Sequence, residues 1–182
     1  MGRLIDLIKN YPAQINAFSA VCALFVSALS IFFTIRTLRL QRIHNFKSLT
    51  PIANVLANDY ENQLEVRIRN TGIGPLILKR FTASDGKQEK ADIISWMPAL
   101  PDGISWSDFS SYIEGHCIPP NQDFVMIQLS GDPEDMHFAS FRDEVRRVLS
   151  VLTVTVEYND IYDRRMPTEQ RSLMWFARNL SD

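Results

Sequence analysis

The chain has 182 residues, a net charge of −2 and a mean hydropathy of −0.09. This length allows one membrane helix and one domain of about 130 residues with its own core, and the mean hydropathy argues against further spans. Residues 1–50 hold six basic residues against one acidic (+5), whereas residues 51–182 hold 13 basic against 20 acidic (−7), which disfavours nucleic acid as a direct partner of the acidic part.

The first segment, residues 1–14, contains GRLIDLIKN, in which apolar residues surround Arg3, Asp6 and Lys9. This pattern is typical of a short amphipathic segment that lies at a membrane interface. A frayed apolar tail is the alternative. Tyr11 then suits headgroup depth, and Pro12 suits the first turn of a helix.

Residues 15–35 form an uncharged stretch, INAFSAVCALFVSALSIFFTI. As a helix it is roughly 31 Å long, which matches the hydrocarbon core of a bilayer. The stretch is longer than the apolar region of a signal peptide, and its strongest basic cluster follows it. The sequence therefore predicts a retained transmembrane helix.

Small and polar residues of this helix share one face, within an arc of roughly 80°. The face consists of Asn16, Ser19, Ala23, Ser27, Ser30 and Thr34. Small residues let membrane helices approach closely, so this face predicts self-association or pairing with another membrane helix. The alternative is that these residues are only the ordinary composition of a single membrane anchor. A more specific form of the prediction is that several helices associate into a water-lined pore.

Residues 36–50 are predicted to form a basic juxtamembrane stalk that continues the helix. Four of its residues suit contact with anionic lipid: Arg36, Arg39, Arg42 and Lys47. They also outnumber the basic residues before the span, so the positive-inside rule places the N-terminus outside and the C-terminal domain in the cytoplasm.

Residues 51–182 read as a soluble domain of strands with one helix. Leu64, Val66 and Ile68 alternate with charged residues, as in a half-buried strand, and Pro133 opens an amphipathic helix that extends to Leu149. The last strand is expected over residues 166–176. Six or so antiparallel strands with one connecting helix predict an immunoglobulin-like β-sandwich, with a small open β-barrel as the alternative.

Two fragments, VRIRNTGIGPL at residues 66–76 and VTVEYNDIY at residues 154–162, resemble a broad group of mostly uncharacterised bacterial membrane-anchored sandwich proteins that carry an N-x-G-x-G-P turn. Leu76 stands where that group has a small residue, and Asp163 where glycine is commoner. The resemblance implies a single-pass anchor in the bacterial inner membrane and supplies no catalytic residues. Some such proteins belong to phage-defence systems.

The domain offers one candidate partner surface, an aromatic-rich loop whose alternative role is to cover the core. Its residues are Trp96, Trp106, Phe109 and Tyr112. The pair His116 and Cys117 is not expected to act as base and nucleophile, because adjacent strand residues point to opposite faces.

Charged residues elsewhere in the domain are expected to be structural. Asn159, Asp160 and Asp163 suit a hairpin turn better than a cation site, since the ligand count of a calcium loop is missing. The pairs Arg146–Arg147 and Arg164–Arg165 are expected to be solvated charges or members of local ion pairs. No catalytic, cofactor-binding or metal-binding motif is found, so no cofactor is expected and the chain is not predicted to be an enzyme.

These features together predict a membrane-tethered protein-binding module or scaffold that assembles through its transmembrane helix and binds a cytoplasmic protein. The alternative is a membrane-perturbing or pore-forming effector of a phage-defence system. A membrane-bound enzyme is a third class, which would need a polar pocket.

Overall fold

One uninterrupted helix, α1, extends over Pro12–Ser48 in the computed structural model, which describes residues 12–180. It joins the predicted span and nearly all of the predicted stalk without a break. The segment Ala13–Arg42 is long and apolar enough to cross a membrane. It has a mean hydropathy of 2.3, and none of its apolar stretch is buried by the rest of the chain. The predicted interfacial segment lies outside the described residues, except for residues 12–14, which belong to α1.

The chain divides into two units, residues 1–47 and residues 48–182. In the second unit the structure describes nine strands and one α-helix, α2. Their bounds are β1 Ala53–Asp59, β2 Gln63–Asn70, β3 Leu76–Ser84, β4 Glu89–Lys90, β5 Asp108–Phe109, β6 Cys117–Ile118, β7 Asp123–Ser130, α2 Met136–Ser150, β8 Thr153–Asn159 and β9 Glu169–Ser172. Short 3₁₀ helices occupy Ile94–Trp96 and Met174–Asn179.

The strands form two antiparallel sheets. One has the order β1-β2-β7-β5, and the other has the order β4-β3-β8-β9 with β6 also paired to β3. Arg171 of β9 donates from Nη1 to the Val55 carbonyl of β1 at 2.6 Å, so a side chain links edge strands of the two sheets. The prediction of an N-terminal apolar helix followed by a mainly-β domain is confirmed.

A single buried cluster joins both sheets and α2. The alternating residues of β2, Leu64, Val66 and Ile68, are all buried in it, as their spacing predicts. Residues of α2 spaced three and four apart complete the cluster: Phe138, Phe141, Val145 and Leu149. The unit therefore has a core of its own.

Helix α2 and the last strand have other boundaries than predicted. Helix α2 begins at Met136, after Pro133, because the Asp135 carboxylate accepts the His137 N–H at 2.9 Å and so caps the helix. The last strand ends at Ser172 and a 3₁₀ helix follows, since Leu173 and Phe176 are both fully buried. Their spacing of three suits a helix with three residues per turn.

The N-x-G-x-G-P turn connects β2 to β3 around the buried side chain of Asn70. Its amide donates to the carbonyls of Gly74 at 2.7 Å and Ile118 at 3.0 Å, and its oxygen accepts the N–H groups of Gly72 at 3.0 Å and Ile52 at 3.3 Å. A Cβ on either glycine would overlap the backbone of residues 49–52. The motif therefore holds the first segment of the unit against the sandwich.

Candidate functional site

The small and polar face of α1 carries hydroxyl groups that are bonded within the helix. Ser27 donates to the Ala23 carbonyl at 2.8 Å, Ser30 to the Val26 carbonyl at 2.9 Å and Thr34 to the Ser30 carbonyl at 2.7 Å. Each bond reaches back four residues, the usual geometry for Ser and Thr inside helices. At Ser27, Ser30 and Thr34 the face therefore offers a neighbouring helix small side chains for close packing, since their hydroxyl groups already have acceptors.

Basic side chains of the stalk also lie on α1. Arg36, Arg39 and Arg42 are exposed and fall within an arc of roughly 120°, because each is three residues from the next. Lys47 belongs to the same helix, and its side chain lies outside what the structure describes. A row of guanidinium groups directly after an apolar span has the chemistry to contact lipid phosphates.

The four aromatic residues of the predicted partner surface fall into two pairs. Trp96 and Trp106 are half-buried and pack against the core, with the Trp106 ring 5.9 Å from that of Phe141. Lys90 lies over the Trp96 ring at 4.6 Å. The first pair therefore covers the core, and the second pair is exposed: Phe109 is 49% and Tyr112 is 73% accessible.

Phe109 and Tyr112 lie on an exposed segment at the edge of a sheet. Phe109 belongs to β5, the edge strand beside β7, and Tyr112 follows three residues later. The His116 ring lies 6.4 Å from Tyr112 and 4.9 Å from Phe124, which packs against the core. We call Phe109, Tyr112 and His116 the aromatic edge.

A buried ion pair joins three distant parts of the chain and was not predicted. Arg146 of α2 is only 5% exposed and donates from Nε at 3.0 Å and Nη2 at 2.6 Å to the carboxylate of Asp59, which closes β1. Asn179 donates to the other Asp59 oxygen at 2.7 Å, and Asp143 accepts a third Arg146 bond at 2.7 Å. We expected Arg146 to be a solvated charge or a member of a local ion pair. Its main partner is instead Asp59, which is 87 residues away in the sequence, so this expectation is wrong.

Electrostatics favour the charged form of this arginine. Burial by itself lowers the pKa of Arg146, but the hydrogen bonds to Asp59 and Asp143 outweigh burial and raise its pKa above the ordinary value. The pair borders a pocket of about 420 Å³, whose lining also includes Tyr60, Glu61 and Arg142. Because Asp59 and Arg146 satisfy each other, the pair acts as a structural connection between β1, α2 and the C-terminal 3₁₀ helix.

The turn after β8 uses its acidic residues for its own backbone. One Asp160 oxygen accepts the N–H groups of Tyr162 and Arg164, both at 2.9 Å, and the other accepts the Arg164 guanidinium at 2.6 Å. Asp163 has a φ of +58°, in the left-handed region that glycine favours. Among the described residues, no group of three or more His, Cys, Asp or Glu side chains is placed to hold a metal ion.

Burial by itself raises the pKa of the Asp160 carboxyl. The hydrogen bonds from the Arg164 backbone and side chain and from the Tyr162 N–H outweigh burial and hold that pKa below its ordinary value. Asp160 therefore remains a carboxylate that organises the turn.

The sequence showed no signal for the Asp59–Arg146 pair, because its members follow no local spacing. The aromatic edge was contained in the predicted loop, but the division of that loop into core-covering and exposed rings depends on the packing of residues 88–121. No protein-family model and no curated protein sequence matches the chain.

Proposed function

We propose that this chain is a membrane-tethered protein-binding module that assembles through α1 and presents a β-sandwich to a partner protein. The observation that carries the proposal is the contrast between the two units. Helix α1 has an apolar surface with no buried residue in its candidate span, whereas the second unit buries its own complete core. Lipid and neighbouring membrane helices would cover α1.

We further propose that the sandwich is immunoglobulin-like. With the strands lettered in chain order and β6 omitted, the sheet β1-β2-β7-β5 has the order A-B-E-D, and the sheet β4-β3-β8-β9 has the order C′-C-F-G. These are the orders of immunoglobulin domains. In this chain α2 lies between strands E and F, and Arg171 of strand G bonds the Val55 carbonyl of strand A.

The proposed orientation places the N-terminus outside and the second unit in the cytoplasm of a bacterial cell, because the basic residues of the stalk follow the span. Resistance of the full chain to carbonate extraction tests the tether. A cysteine-accessibility assay tests the direction on a background that carries both Cys22→Ser and Cys117→Ser, because both native cysteines are exposed, with new cysteines at Ser181 or Gly2. Release by carbonate would refute the tether, and labelling of the Ser181→Cys variant from outside would reverse the direction.

Assembly through α1 is tested with two substitutions at one position. Ser27→Ala removes the hydroxyl but keeps the residue small, and the hydroxyl already bonds its own helix. Ser27→Leu adds bulk to the proposed contact face. We expect crosslinked oligomers in membranes to persist in Ser27→Ala and to fall at least fivefold in Ser27→Leu. Equal crosslinking in the two variants would refute assembly through this face.

The alternative, a pore-forming effector, is separated from the scaffold by a membrane-potential dye. A tether should leave the potential of overexpressing cells intact. Depolarisation that Ser27→Leu abolishes would instead support a pore along the same face.

A further inference from the structure

Arg36, Arg39 and Arg42, which we call the basic row, lie on one continuous surface of α1. A groove of about 390 Å³ is lined by Arg36 and Arg39 together with Phe32 and Ile35, and a second groove of about 180 Å³ places Arg39 beside Arg42. All three arginines are exposed. The surface therefore combines guanidinium groups with apolar side chains directly after the uncharged span, as contact with a lipid headgroup and its acyl chains requires.

Helix α1 contains no carboxylate that could neutralise the basic row. Residues 12–48 include neither aspartate nor glutamate, and the three arginines form no ion pair among the residues that the structure describes. In the second unit, by contrast, six of the ten arginines pair with a carboxylate. The charge of the basic row is therefore available to an anion from outside the chain.

The basic row lies opposite the small and polar face of α1, which we call the association face and which consists of Asn16, Ser19, Ala23, Ser27, Ser30 and Thr34. With Arg36 at 0° and about 100° added per residue, the association face lies between about 100° and 180°, and the basic row between about 240° and 360°. Their centres are about 160° apart. A second copy that packs on the association face therefore leaves the basic row open to lipid.

We propose that the basic row binds the phosphate groups of anionic phospholipids and that this lipid strengthens assembly through the opposite face. Assembly brings the positive rows of neighbouring copies together, and bound anionic headgroups reduce the repulsion between them. Because the two faces are separate, one helix holds lipid and a second copy at the same time, and each favours binding of the other. This inference rests on the proposed function and adds the ligand that regulates assembly.

Lipid selectivity of the full chain in vesicles tests the site. Electron paramagnetic resonance compares spin-labelled phosphatidylglycerol with spin-labelled phosphatidylcholine, since it separates lipid immobilised by the protein from bulk lipid. The row variant carries Arg36→Gln, Arg39→Gln and Arg42→Gln. The control variant removes the same charge from exposed positions of the second unit and carries Arg80→Gln, Lys87→Gln and Arg147→Gln.

We expect the native chain and the control variant to prefer phosphatidylglycerol at least about threefold and the row variant to lose this preference. An equal loss in the control variant would show that net charge alone attracts the lipid, and would overturn the site. A native chain without the preference, or a row variant that keeps it, would overturn the site as well.

Energy transfer between copies measures assembly in the same vesicles. Donor and acceptor dyes are attached to the exposed Cys117 on a Cys22→Ser background. When phosphatidylglycerol replaces about 30% of the phosphatidylcholine, the association constant should rise at least about fivefold in the native chain and less than about twofold in the row variant. No rise in the native chain, or an equal rise in both, would overturn the coupling. An equal rise with inorganic phosphate over pure phosphatidylcholine would assign the site to free phosphate and overturn the lipid as its ligand.

The opposite placement of the two faces has its own test. Thr37 and Gln41 continue the association face beyond the span, at about 100° and 140°. A moved-charge variant keeps the net charge of the native chain and carries Arg36→Gln, Arg39→Gln, Thr37→Arg and Gln41→Arg. With phosphatidylglycerol present, it should assemble at least about fivefold less than the native chain, because two guanidinium groups now lie in the contact. Assembly equal to that of the native chain would overturn the assignment of lipid and contact to opposite faces.

The proposed function and this inference can fail separately. Lipid selectivity is measured without reference to assembly, so equal crosslinking of the two Ser27 variants would refute assembly and leave the lipid site in place. Loss of the lipid site in turn leaves the carbonate and Ser27 experiments untouched.

Discussion

The four hydrogen bonds of the Asn70 side chain allow the effect of its substitution on stability to be worked out bond by bond. Its buried side chain bonds two carbonyl and two N–H groups from the β2–β3 turn, the first segment of the unit and β6. Asn70→Ala removes all four bonds and leaves these backbone groups without the partner they have in the native unit. Asn70→Asp keeps an acceptor but places a carboxylate against the carbonyls of Gly74 and Ile118.

The magnitude follows from the bond geometry. Each of the three bonds of 2.7 to 3.0 Å contributes about 1 kcal/mol net, and the fourth, at 3.3 Å, contributes less. Asn70→Ala should therefore destabilise the unit by about 3 kcal/mol. At about 4 °C per kcal/mol for a unit of this size, the Tm should fall by about 12 °C. Asn70→Asp should cost at least as much at pH 7, because its charge faces two acceptors.

Tryptophan fluorescence during thermal unfolding of the detergent-solubilised chain measures this effect. The three tryptophans, Trp96, Trp106 and Trp175, all lie in the second unit, so the signal reports its unfolding and not that of α1. Asn62→Ala, at an exposed turn position, is the matched control and should change the Tm by less than about 2 °C. A fall of less than about 3 °C in Asn70→Ala would refute the reasoning that this amide holds the turn.

Two further predictions concern buried charges. Arg146→Met should destabilise the unit by about 3–5 kcal/mol in urea unfolding, because it leaves the Asp59 carboxylate buried without its cation. The control, Arg147→Met at the exposed neighbouring position, should change stability by less than about 0.5 kcal/mol. Equal effects of the two substitutions would contradict the assignment of Asp59 as the partner of Arg146. The pKa of Asp160 is lower in the folded chain than in the unfolded chain, so its contribution is present above about pH 5 and lost as the pH falls through the folded pKa. Asp160→Asn should therefore be less stable than the native chain at pH 7, and its free energy of unfolding should fall less between about pH 5 and pH 2. Unfolding measured at each pH tests this. Parallel curves of unfolding free energy against pH for the two chains would contradict the role of Asp160.

Local patterns identified much of this protein in advance. A run of uncharged residues long enough for a bilayer predicts α1. The hydrocarbon core of a bilayer sets the length and the polarity of a spanning helix, and neither depends on other segments of the chain. Alternation in β2 and the three-and-four spacing in α2 predict which of their apolar residues are buried, but not the burial of Glu65 or Arg146. The Asn and Gly residues of the β2–β3 turn predict a turn at this position, where one is found. Gly72 and Gly74 do not have the positive φ that such a turn suggests; they are required because a Cβ would overlap the backbone of residues 49–52.

Contacts between distant residues were decided by the tertiary structure alone. Asp59, Arg146 and Asn179 meet only because β1, α2 and the C-terminal 3₁₀ helix pack together, and no spacing in the chain marks them as partners. The same is true of the aromatic loop. Trp106 packs against Phe141 of the core and Tyr112 is exposed to solvent, and the sequence of the loop does not distinguish the two. Periodicity within one element is a local property that the sequence displays directly, whereas burial and charge pairing between elements depend on where the folded chain brings them.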